Sequence, residues 1–417
     1  MTVPQRPPLL PLDEALSRLL SFAAPALSTE SVPVGDADGR VLAQDVVSAL
    51  HVPPHDNSSM DGYALRCADA AVPGVQLPVA QRIAAGSSGM PLQIGTVARI
   101  FTGAPVPQGA DAVVMQEECL AVPKGEGVAD QPLVQINAQP APGQNIRRAG
   151  EDVARGDVVL SRGQRLGPAE LGLAASIGMA SLTVGRRPRV ALFSTGDELV
   201  MPGSVAPQDM PPGAIYNSNR FFLRALLRRM GCVVSDLGIV PDQREATVQA
   251  LREAAQTHDV ILTSGGVSVG EEDHIKPAVQ SLGTLDLWQI AIKPGKPFAH
   301  GRIGDAHFLG LPGNPVSSFV TFLVLVRPFL LQLQGARDVA MTTVAARADF
   351  TWAKPDKRRE FLRARRNANG GLDLFTNQSS GVLTSAVWAD GLIDNPPGCA
   401  IAPGDTVRFV PFSEVLV

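Results

Sequence analysis

A glycine pair followed by three consecutive acidic residues is the stretch of this sequence best suited to chemistry. Residues 260–273 read VILTSGGVSVGEED, with Ser264, Gly265 and Gly266 directly after a short β-branched run. Without a Cβ, glycine can adopt positive φ and approach a ligand closely, and loops of this kind bind phosphate through backbone N–H groups. The acids, above all Asp273, supply the oxygen ligands that a divalent cation prefers. The stretch indicates a site for a phosphorylated ligand and a metal, although a glycine-rich turn before a solvated helix start explains it equally well.

Further acidic residues lie in loops next to glycine or proline. They are Asp61, Asp152, Glu198 and Asp242. Taken singly, each is better explained as a turn former or as an acid at a helix start. If they meet in space, their mutual repulsion favours a bound metal or cationic ligand. The sequence does not establish that they meet.

The segment AIKPGKP at 291–297 places Lys293 and Lys296 between two prolines and a glycine. Proline restricts φ, so the backbone that carries both charges is stiff. Rigidly held ammonium groups suit the binding of phosphate or another oxyanion, and we favour that function over a merely charged loop. A hydrolase triad is disfavoured, because the loop serines lack a matching histidine and aspartate pattern.

Composition excludes several classes of protein. The 417 residues carry a formal net charge of −4 and are 45% hydrophobic, which is typical of a soluble protein and does not favour nucleic acid. The four cysteines form no CxxC pair, so we expect no zinc ribbon and a reducing compartment, the cytoplasm. There is no signal-peptide pattern, and the longest apolar run, 319–326, is shorter than the ~18 residues of a membrane helix. We therefore expect no membrane partner.

Alternating strand and helix patterns position the candidate residues. Strands are predicted at 190–193, 232–235, 260–262 and 308–311, and helices at 219–230, 244–256, 274–282 and 315–333. This order predicts an α/β domain with a central doubly wound parallel sheet, whose ligands bind at the carboxyl ends of the strands. Thr195, the glycine pair, and the loop with Pro312 and Pro315 follow three of these strands.

The rest of the chain divides around this α/β domain, which we place at 186–335. Residues 51–144 consist of short runs separated by proline and glycine, and predict an inserted β domain. Helical patterns at 12–20 and from Pro168 predict a discontinuous helix-rich domain at 1–50 and 145–185. Residues 336–417 predict a C-terminal β-barrel, in which the basic run 352–366 is interpreted as a solvated strand face and not as a nucleic-acid surface.

In this order along the chain, the motifs resemble the molybdenum-insertase family, that is, molybdopterin molybdotransferases of the MoeA type and the E domain of gephyrin. The matching strings span nearly the whole chain: DNSSMDGYA at 56–64, FTGAPVP at 101–107, GED at 150–152, STGDEL at 194–199, TSGGVSVGEED at 263–273, AIKPGKP at 291–297, GLPGNPVSS at 310–318 and, more weakly, REFLR at 359–363 with QSSG at 378–381. Gln289 stands where many members carry a lysine, which weakens the positive field beside Lys293.

The resemblance implies a transferase of molybdenum cofactor biosynthesis with four domains, as outlined above. Its substrates would be adenylylated molybdopterin and molybdate. With Mg²⁺ present, the phosphoanhydride is cleaved, molybdenum enters the dithiolene and AMP is released. The family works as an elongated homodimer, with the site between the α/β domain of one subunit and the β domain of the other, alongside other proteins of the pathway. Two alternatives stay open: adenylylation of molybdopterin by ATP, and a non-enzymatic scaffold.

The resemblance also implies roles for individual residues. The glycine pair would bind the pterin phosphate or adenylyl group, the two lysines would hold molybdate or phosphates, and Asp61 and Thr102 would reach across the dimer. The implied catalytic residues are Asp61, Asp152, Glu198, Asp242, Asp273 and Lys293, of which Asp242 and Asp273 would hold the metal. The implied binding residues are Thr102, Thr195, Ser264, Gly265, Gly266, Lys296, Pro312, Pro315, Arg363 and Ser380.

Overall fold

A computed structural model describes residues 9–24, 26–122, 131–266 and 274–416. Its α-helices are α1 (Leu12–Phe22), α2 (Pro168–Ser176), α3 (Asn219–Arg229), α4 (Arg244–Thr257), α5 (Ile275–Leu282), α6 (Pro315–Thr321), α7 (Arg327–Leu333), α8 (Thr384–Trp388) and α9 (Phe412–Val415). A π-helical segment, Phe322–Val326, joins α6 to α7.

The β-strands are short and numerous. They are β1 (Thr29–Pro33), β2 (Val46–Val47), β3 (Asn57–Ser58), β4 (Gly62–Leu65), β5 (Val75–Ile83), β6 (Val97–Ile100), β7 (Ala112–Met115), β8 (Cys119–Val122), β9 (Leu133–Ile136), β10 (Ile146–Arg147), β11 (Val158–Leu160), β12 (Ser181–Gly185), β13 (Arg189–Thr195), β14 (Leu199–Val200), β15 (Ile215–Tyr216), β16 (Val233–Val240), β17 (Val260–Ser264), β18 (Thr284–Gln289), β19 (Ile292–Lys293), β20 (Pro297–Ile303), β21 (Ala306–Leu311), β22 (Val344–Arg347), β23 (Arg359–Arg366), β24 (Leu372–Leu374), β25 (Gly391–Asn395) and β26 (Thr406–Pro411).

These elements pack as two compact units. The first unit combines the described residues up to Gln44 with Arg162–Gly167 and the chain from Leu182 onward. The second unit combines Asp45–Ser161 with Pro168–Ser181 and contains the six-stranded sheet β7-β4-β6-β5-β9-β8. The four predicted domains divide the chain more finely, and their boundaries remain a prediction.

The central sheet of the first unit has the strand order β16-β13-β17-β21-β20-β18. Alternate residues of β13 point to opposite faces of the sheet. Val190 and Leu192 pack with α3, α6 and α7, whereas Ala191 and Phe193 pack with α4 and α5. A strand buried on both sides in this way reads as a continuous apolar run, which explains why the sequence pattern located it. Helices therefore cover both faces, and the predicted doubly wound α/β domain is confirmed.

The sheet is mixed, however, and not wholly parallel as predicted. Four strands, β16, β13, β17 and β21, run parallel, but β20 pairs antiparallel with β21, and β18 pairs antiparallel with β20. The cause is a two-residue hairpin between Ile303 and Ala306, in which Gly304 has φ +58°. Glycine at the first position of such a loop suits a tight hairpin turn. The sequence analysis missed this turn and therefore missed β20.

The predicted helix at 315–333 forms one nearly continuous rod, α6 to α7 through the π segment. At 19 residues it is long and apolar enough to cross a membrane by length and composition, in contrast to our estimate from the shorter apolar run. Its side chains are nevertheless almost all buried within the first unit, including Phe322, Leu325 and Phe329. The apolar composition of this helix is thus explained by its place in the core.

Two smaller predictions need correction. The segments predicted as helix-rich, 1–50 and 145–185, contain α1 and α2 but also β1, β2, β10, β11 and β12. These short strands pair over long sequence separations, β1 with β12, β2 with β11 and β10 with β3. In the last domain β23, β25, β26 and β22 form one sheet, to which β19 of the preceding domain adds an edge strand, and a bridge from Ala348 to Leu372 of β24 curls it back on itself. The basic strand β23 is not a solvated face, since Glu360–Ala364 are all buried and only its end is exposed.

Two histidines are buried on the neighbouring strands β20 and β21. His300 is 2% exposed and stacks on Phe22 with ring centroids 4.3 Å apart, and His307 is 5% exposed. Arg302 Nη1 donates to Nε2 of His307 at 2.8 Å, so that ring nitrogen carries no proton. Burial, and secondly the charge of Arg302, lowers the pKa of His300 to about 4 and that of His307 to about 3.

These shifts predict acid sensitivity. The unfolded chain takes up a proton on each histidine near pH 6.5, but the folded chain does so only at much lower pH. The contribution of each neutral histidine to the free energy of unfolding is therefore complete above about pH 6.5. It is lost as the pH falls towards 4 for His300 and towards 3 for His307. The substitution His300→Phe keeps a ring against Phe22 but removes the titrating group. At about pH 4.5 it should therefore reduce the acid-induced loss of unfolding free energy, measured by urea denaturation, by on the order of 2 kcal/mol. The exposed control His55→Gln should retain the wild-type profile; an unchanged profile in H300F would contradict this explanation.

Candidate active site

A cleft of about 750 Å³ opens at the carboxyl edge of the four parallel strands. Loops that follow β13, β16, β17 and β21 line it, as expected for a doubly wound sheet. The starts of α3 and α6 also lie in its wall, so the positive ends of two helix dipoles meet there. The lining includes these predicted site residues: Thr195, Glu198, Asp242, Ser264, Gly265, Gly266, Pro312 and Pro315.

The glycine pair forms the floor of the cleft with a backbone that few other residues tolerate. Gly265 has φ +98° and Gly266 has φ +67°, both in the left-handed region. A Cβ on Gly265 would lie 3.2 Å from the carbonyl oxygen of Thr195, and one on Gly313 would lie 3.9 Å from Cα of Gly265. A side chain at position 265 would thus crowd the neighbouring loop, and the geometry supports the predicted close approach of a ligand to bare backbone.

The side chain of Asn219 joins two of the loops that form the cleft. Its Nδ2 donates to Ser264 Oγ at 2.8 Å and to the carbonyl oxygen of Gly313 at 2.6 Å. Ser264 Oγ in turn donates to the carbonyl oxygen of Pro312 at 3.3 Å. Asn219 is only 9% exposed, so these bonds are little weakened by water. The first residue of α3 therefore holds the glycine loop after β17 against the proline loop after β21.

A second asparagine, Asn217, has an unused donor in the same wall. It is 2% exposed, and its Nδ2 has no hydrogen-bond partner among the described residues. Its Oδ1 accepts from the backbone N–H of Arg220 at 3.3 Å, in the first turn of α3. A buried amide with an unmet donor is costly, and a ligand oxygen in the cleft would meet that need. Our sequence analysis missed both asparagines, although the string YNSN directly before an amphipathic helix was a visible signal.

The charges that line the cleft are acidic. Glu198 and Asp242 contribute carboxylates, and no lysine or arginine occurs in the lining formed by the described residues. Glu198 folds back over Gly196, where a Cβ would lie 2.5 Å from its Oε2. Asp273, the predicted second metal ligand, lies outside the described residues. Those residues contain no group of three or more His, Cys, Asp or Glu placed to hold a metal.

Lys293 is part of an ion-pair network. Its Nζ lies 3.2 Å from Oε1 of Glu360 and 3.5 Å from Oδ2 of Asp356. Glu360 is fully buried, and its Oε2 accepts from Trp352 Nε1 at 2.8 Å. Lys296 makes no ion pair with any described residue and, like Lys293, does not line the cleft, although the adjacent Pro297 does. The structure thus separates the two lysines that the sequence treated as equivalent.

Arg363 and Ser380 form hydrogen bonds within the protein. Arg363 is 1% exposed, and its guanidinium donates to the carbonyl oxygen of Phe361 at 3.0 Å and to Ser385 Oγ at 3.1 Å. Burial lowers the pKa of Arg363 to about 10. The carbonyl oxygen of Ser380 accepts from the backbone N–H of Val316 at 2.9 Å, which places its neighbour Gly381 in the cleft wall.

Asp61 and Thr102 meet in the second unit. Oδ1 of Asp61 accepts from the backbone N–H of Thr102 at 2.7 Å and from its hydroxyl at 2.8 Å. These two bonds, the backbone one first, lower the pKa of Asp61. Gly62 is required beside it, because a Cβ there would lie 1.9 Å from the carbonyl oxygen of Val114 on the neighbouring strand. Asp152 is exposed in the same unit, in the turn before the Val52–Val153 bridge.

Comparison with known proteins assigns the chain to a family. The chain matches the MoeA N-terminal region (domain I and II) over residues 10–178, a probable molybdopterin binding domain over 191–332 and the MoeA C-terminal region (domain IV) over 345–412. It is 43% identical to a molybdopterin molybdenumtransferase of Haemophilus influenzae over 79% of each chain. The chain belongs to the MoeA family.

Further relatives agree with that assignment. Molybdopterin molybdenumtransferase 2 of Mycobacterium tuberculosis is 40% identical over 88% of this chain and 90% of its own. The crystal structure of a molybdopterin biosynthesis MoeA protein from Pyrococcus horikoshii superposes with a TM-score of 0.82 at 28% identity, covering 97% of this chain and 100% of that one. The multidomain fold of this MoeA-family chain is therefore confirmed.

The Asn219 bridge generates a prediction. Asn219→Ala removes the donor shared by Ser264 and Gly313 and should lower the free energy of local opening of the two loops by about 1–3 kcal/mol. We expect faster hydrogen–deuterium exchange in 260–266 and 308–316, with little change elsewhere in the first unit. The matched control is Asn369→Ala, at an exposed asparagine in a loop of the last domain. Equal exchange in N219A and wild type would show that the two loops do not depend on this side chain.

Proposed function

We propose that this protein transfers molybdenum to molybdopterin in molybdenum cofactor biosynthesis. In the proposed reaction adenylylated molybdopterin and molybdate bind, and water cleaves the phosphoanhydride so that AMP leaves. Molybdenum then enters the dithiolene, and oxygen that the thiolates displace from molybdate leaves as water. The observation that carries the proposal is the cleft at the carboxyl edge of the sheet, where Gly265, Gly266 and the unmet donor of Asn217 meet. Membership of a family whose relatives are molybdopterin molybdenumtransferases supports it.

In this proposal the chain's own groups bind and orient the diphosphate. The glycine loop would bind through backbone N–H groups and Asn217 through its Nδ2 donor. The starts of α3 and α6 supply a positive field. The Asn219 bridge keeps the glycine and proline loops at a fixed separation, so these donors are in place before the substrate arrives.

The acidic lining supports a need for a divalent cation. A diphosphate placed beside Glu198 and Asp242, with no cation from the described lining, would be repelled. Mg²⁺ is commonly held by one or two carboxylates together with substrate phosphates, which fits this donor set. Asp242 would hold the ion, with Asp273 as the other proposed ligand. The ion would neutralise charge on the phosphates.

Further parts of the proposal concern assembly and location. We propose a homodimer in which Asp61 and Thr102 of one subunit complete the cleft of the other. The held conformation of Asp61, with two donors on one oxygen, supports a positioning function for this carboxylate. We also propose action in the cytoplasm beside the proteins that supply the adenylylated substrate, which the four free cysteines support.

The direct test is an AMP-release assay with adenylylated molybdopterin, molybdate and Mg²⁺. Asp242→Asn should lower the rate at least about tenfold by weakening the metal site, and excess Mg²⁺ should restore part of it. The exposed Asp209→Asn, which makes the same change outside the cleft, should match wild type. Absence of AMP from the wild-type protein would refute the insertase, and ATP turnover with free molybdopterin and no molybdate would favour the adenylyltransferase.

Subunit mixing tests the shared site. Asp61→Asn and Asp242→Asn should each be nearly inactive alone. After random exchange half of the dimers carry one copy of each variant, and each such dimer has one site with both aspartates. Mixing should therefore restore about one quarter of wild-type activity. No recovery after confirmed subunit exchange would mean that both aspartates act within one chain or that Asp61 acts elsewhere.

A further inference from the structure

A second pocket lies at the opposite edge of the central sheet from the cleft. It encloses about 500 Å³ and is lined by Glu30, Arg40, Arg186, Arg187, Arg189 and Val233. Arg189 and Val233 are the first residues of the parallel strands β13 and β16 and pair with each other. The cleft lies past the far ends of the same strands, so roughly 20 Å of strand separates the two sites. A ligand in the cleft does not reach this reverse-edge pocket.

The reverse-edge pocket is strongly basic in a chain whose formal net charge is −4. Among the described residues its arginines pair with two carboxylates: Glu30, which pairs with Arg40, and Asp259, which accepts hydrogen bonds from both Nη atoms of Arg186 at 2.8 Å. The pocket therefore has an excess of two positive charges. Arg189 Nε lies 3.8 Å from Asp259, a weak contact. Exposed Arg187 makes no ion pair with any residue that the structure describes, so its guanidinium is available to a ligand.

Arg40 provides an independent sign of a missing anion. It is 4% exposed, which is rare for an arginine that pairs with a single, half-exposed glutamate. Its Nη2 also donates to the carbonyl oxygen of Gly185 at 2.7 Å. The buried Nε has no hydrogen-bond partner among the described residues. A buried cation with an incomplete set of acceptors is costly, and a nearby anion would offset part of that cost.

We propose that the reverse-edge pocket binds a multivalent phosphate anion, either inorganic or the phosphates of a nucleotide. Guanidinium groups match the geometry of phosphate oxygens with two parallel donors, which makes phosphate a better fit than a single carboxylate. The excess of two positive charges matches a phosphate dianion. The volume lies within the range of small-ligand sites. This site is independent of the proposed transferase reaction.

Calorimetric titration with inorganic pyrophosphate at low ionic strength tests the proposal, because added salt would screen the charges. Arg187→Glu removes the excess charge and should weaken pyrophosphate binding by roughly tenfold or more. Arg228→Glu makes the same charge change at an exposed arginine on α3 and should alter affinity by less than about twofold. Arg187→Gln should give an intermediate loss, and equal melting temperatures would establish that the variants are folded.

Three further measurements decide between ligands and sites. ADP that binds more tightly than pyrophosphate, and equally depends on Arg187, would identify a nucleotide; equal affinity would identify the phosphates alone. Lys354→Ala, at an exposed lysine of the last domain, should leave pyrophosphate binding unchanged. The proposal is overturned if R187E and R228E lower affinity equally, if pyrophosphate does not bind, or if a hexaglutamate peptide binds through Arg187 more tightly than pyrophosphate does.

Discussion

The candidate site depends on a single buried amide. Asn219 begins α3, and its Nδ2 reaches both the loop after β17 and the loop after β21. The loop after β17 has positive φ at Gly265 and Gly266, so its own dihedral preferences do not fix its distance from the loop after β21. A side chain that donates to each of them supplies that restraint. The shape of the cleft is thus set by the packing of α3 against the sheet, which in turn rests on Leu223 and Leu227 in the core.

Charge is distributed unevenly between the two edges of the central sheet. The cleft carries carboxylates, whereas two basic side chains that were predicted to serve it pair elsewhere: Lys293 with Glu360 and Asp356, and Arg363 with acceptors in the core of the last domain. An anionic substrate therefore meets neutral amide donors and helix termini first, and needs a cation to offset the acids. At the reverse edge of the sheet, by contrast, arginines outnumber the carboxylates that pair with them. The two edges differ in sign, and we infer different ligands for them.

Much of the first unit could be predicted from the sequence, because strands buried on both faces and amphipathic helices leave strong periodic patterns. Thr195, the glycine pair, Pro312 and Pro315 were predicted at strand ends, and the structure brings them to one cleft together with Asp242. The antiparallel β20 was missed because its only local signal was the turn at Gly304. The burial of Glu360 and Arg363 was missed because alternation of charged and apolar residues looks the same whether the polar face meets water or another layer. The role of Asn219 depends on contacts across 45 residues or more, and Asn217 and Asn219 left only a short polar string at the start of a helix.

A crystal structure with adenylylated molybdopterin bound tests the central claim most directly. We expect the diphosphate against Gly265 and Gly266, with one oxygen accepting from Asn217 Nδ2, and both hydrogen bonds of Asn219 intact. A diphosphate bound away from this cleft, or a complex in which Asn219 has released Ser264 and Gly313, would contradict the account.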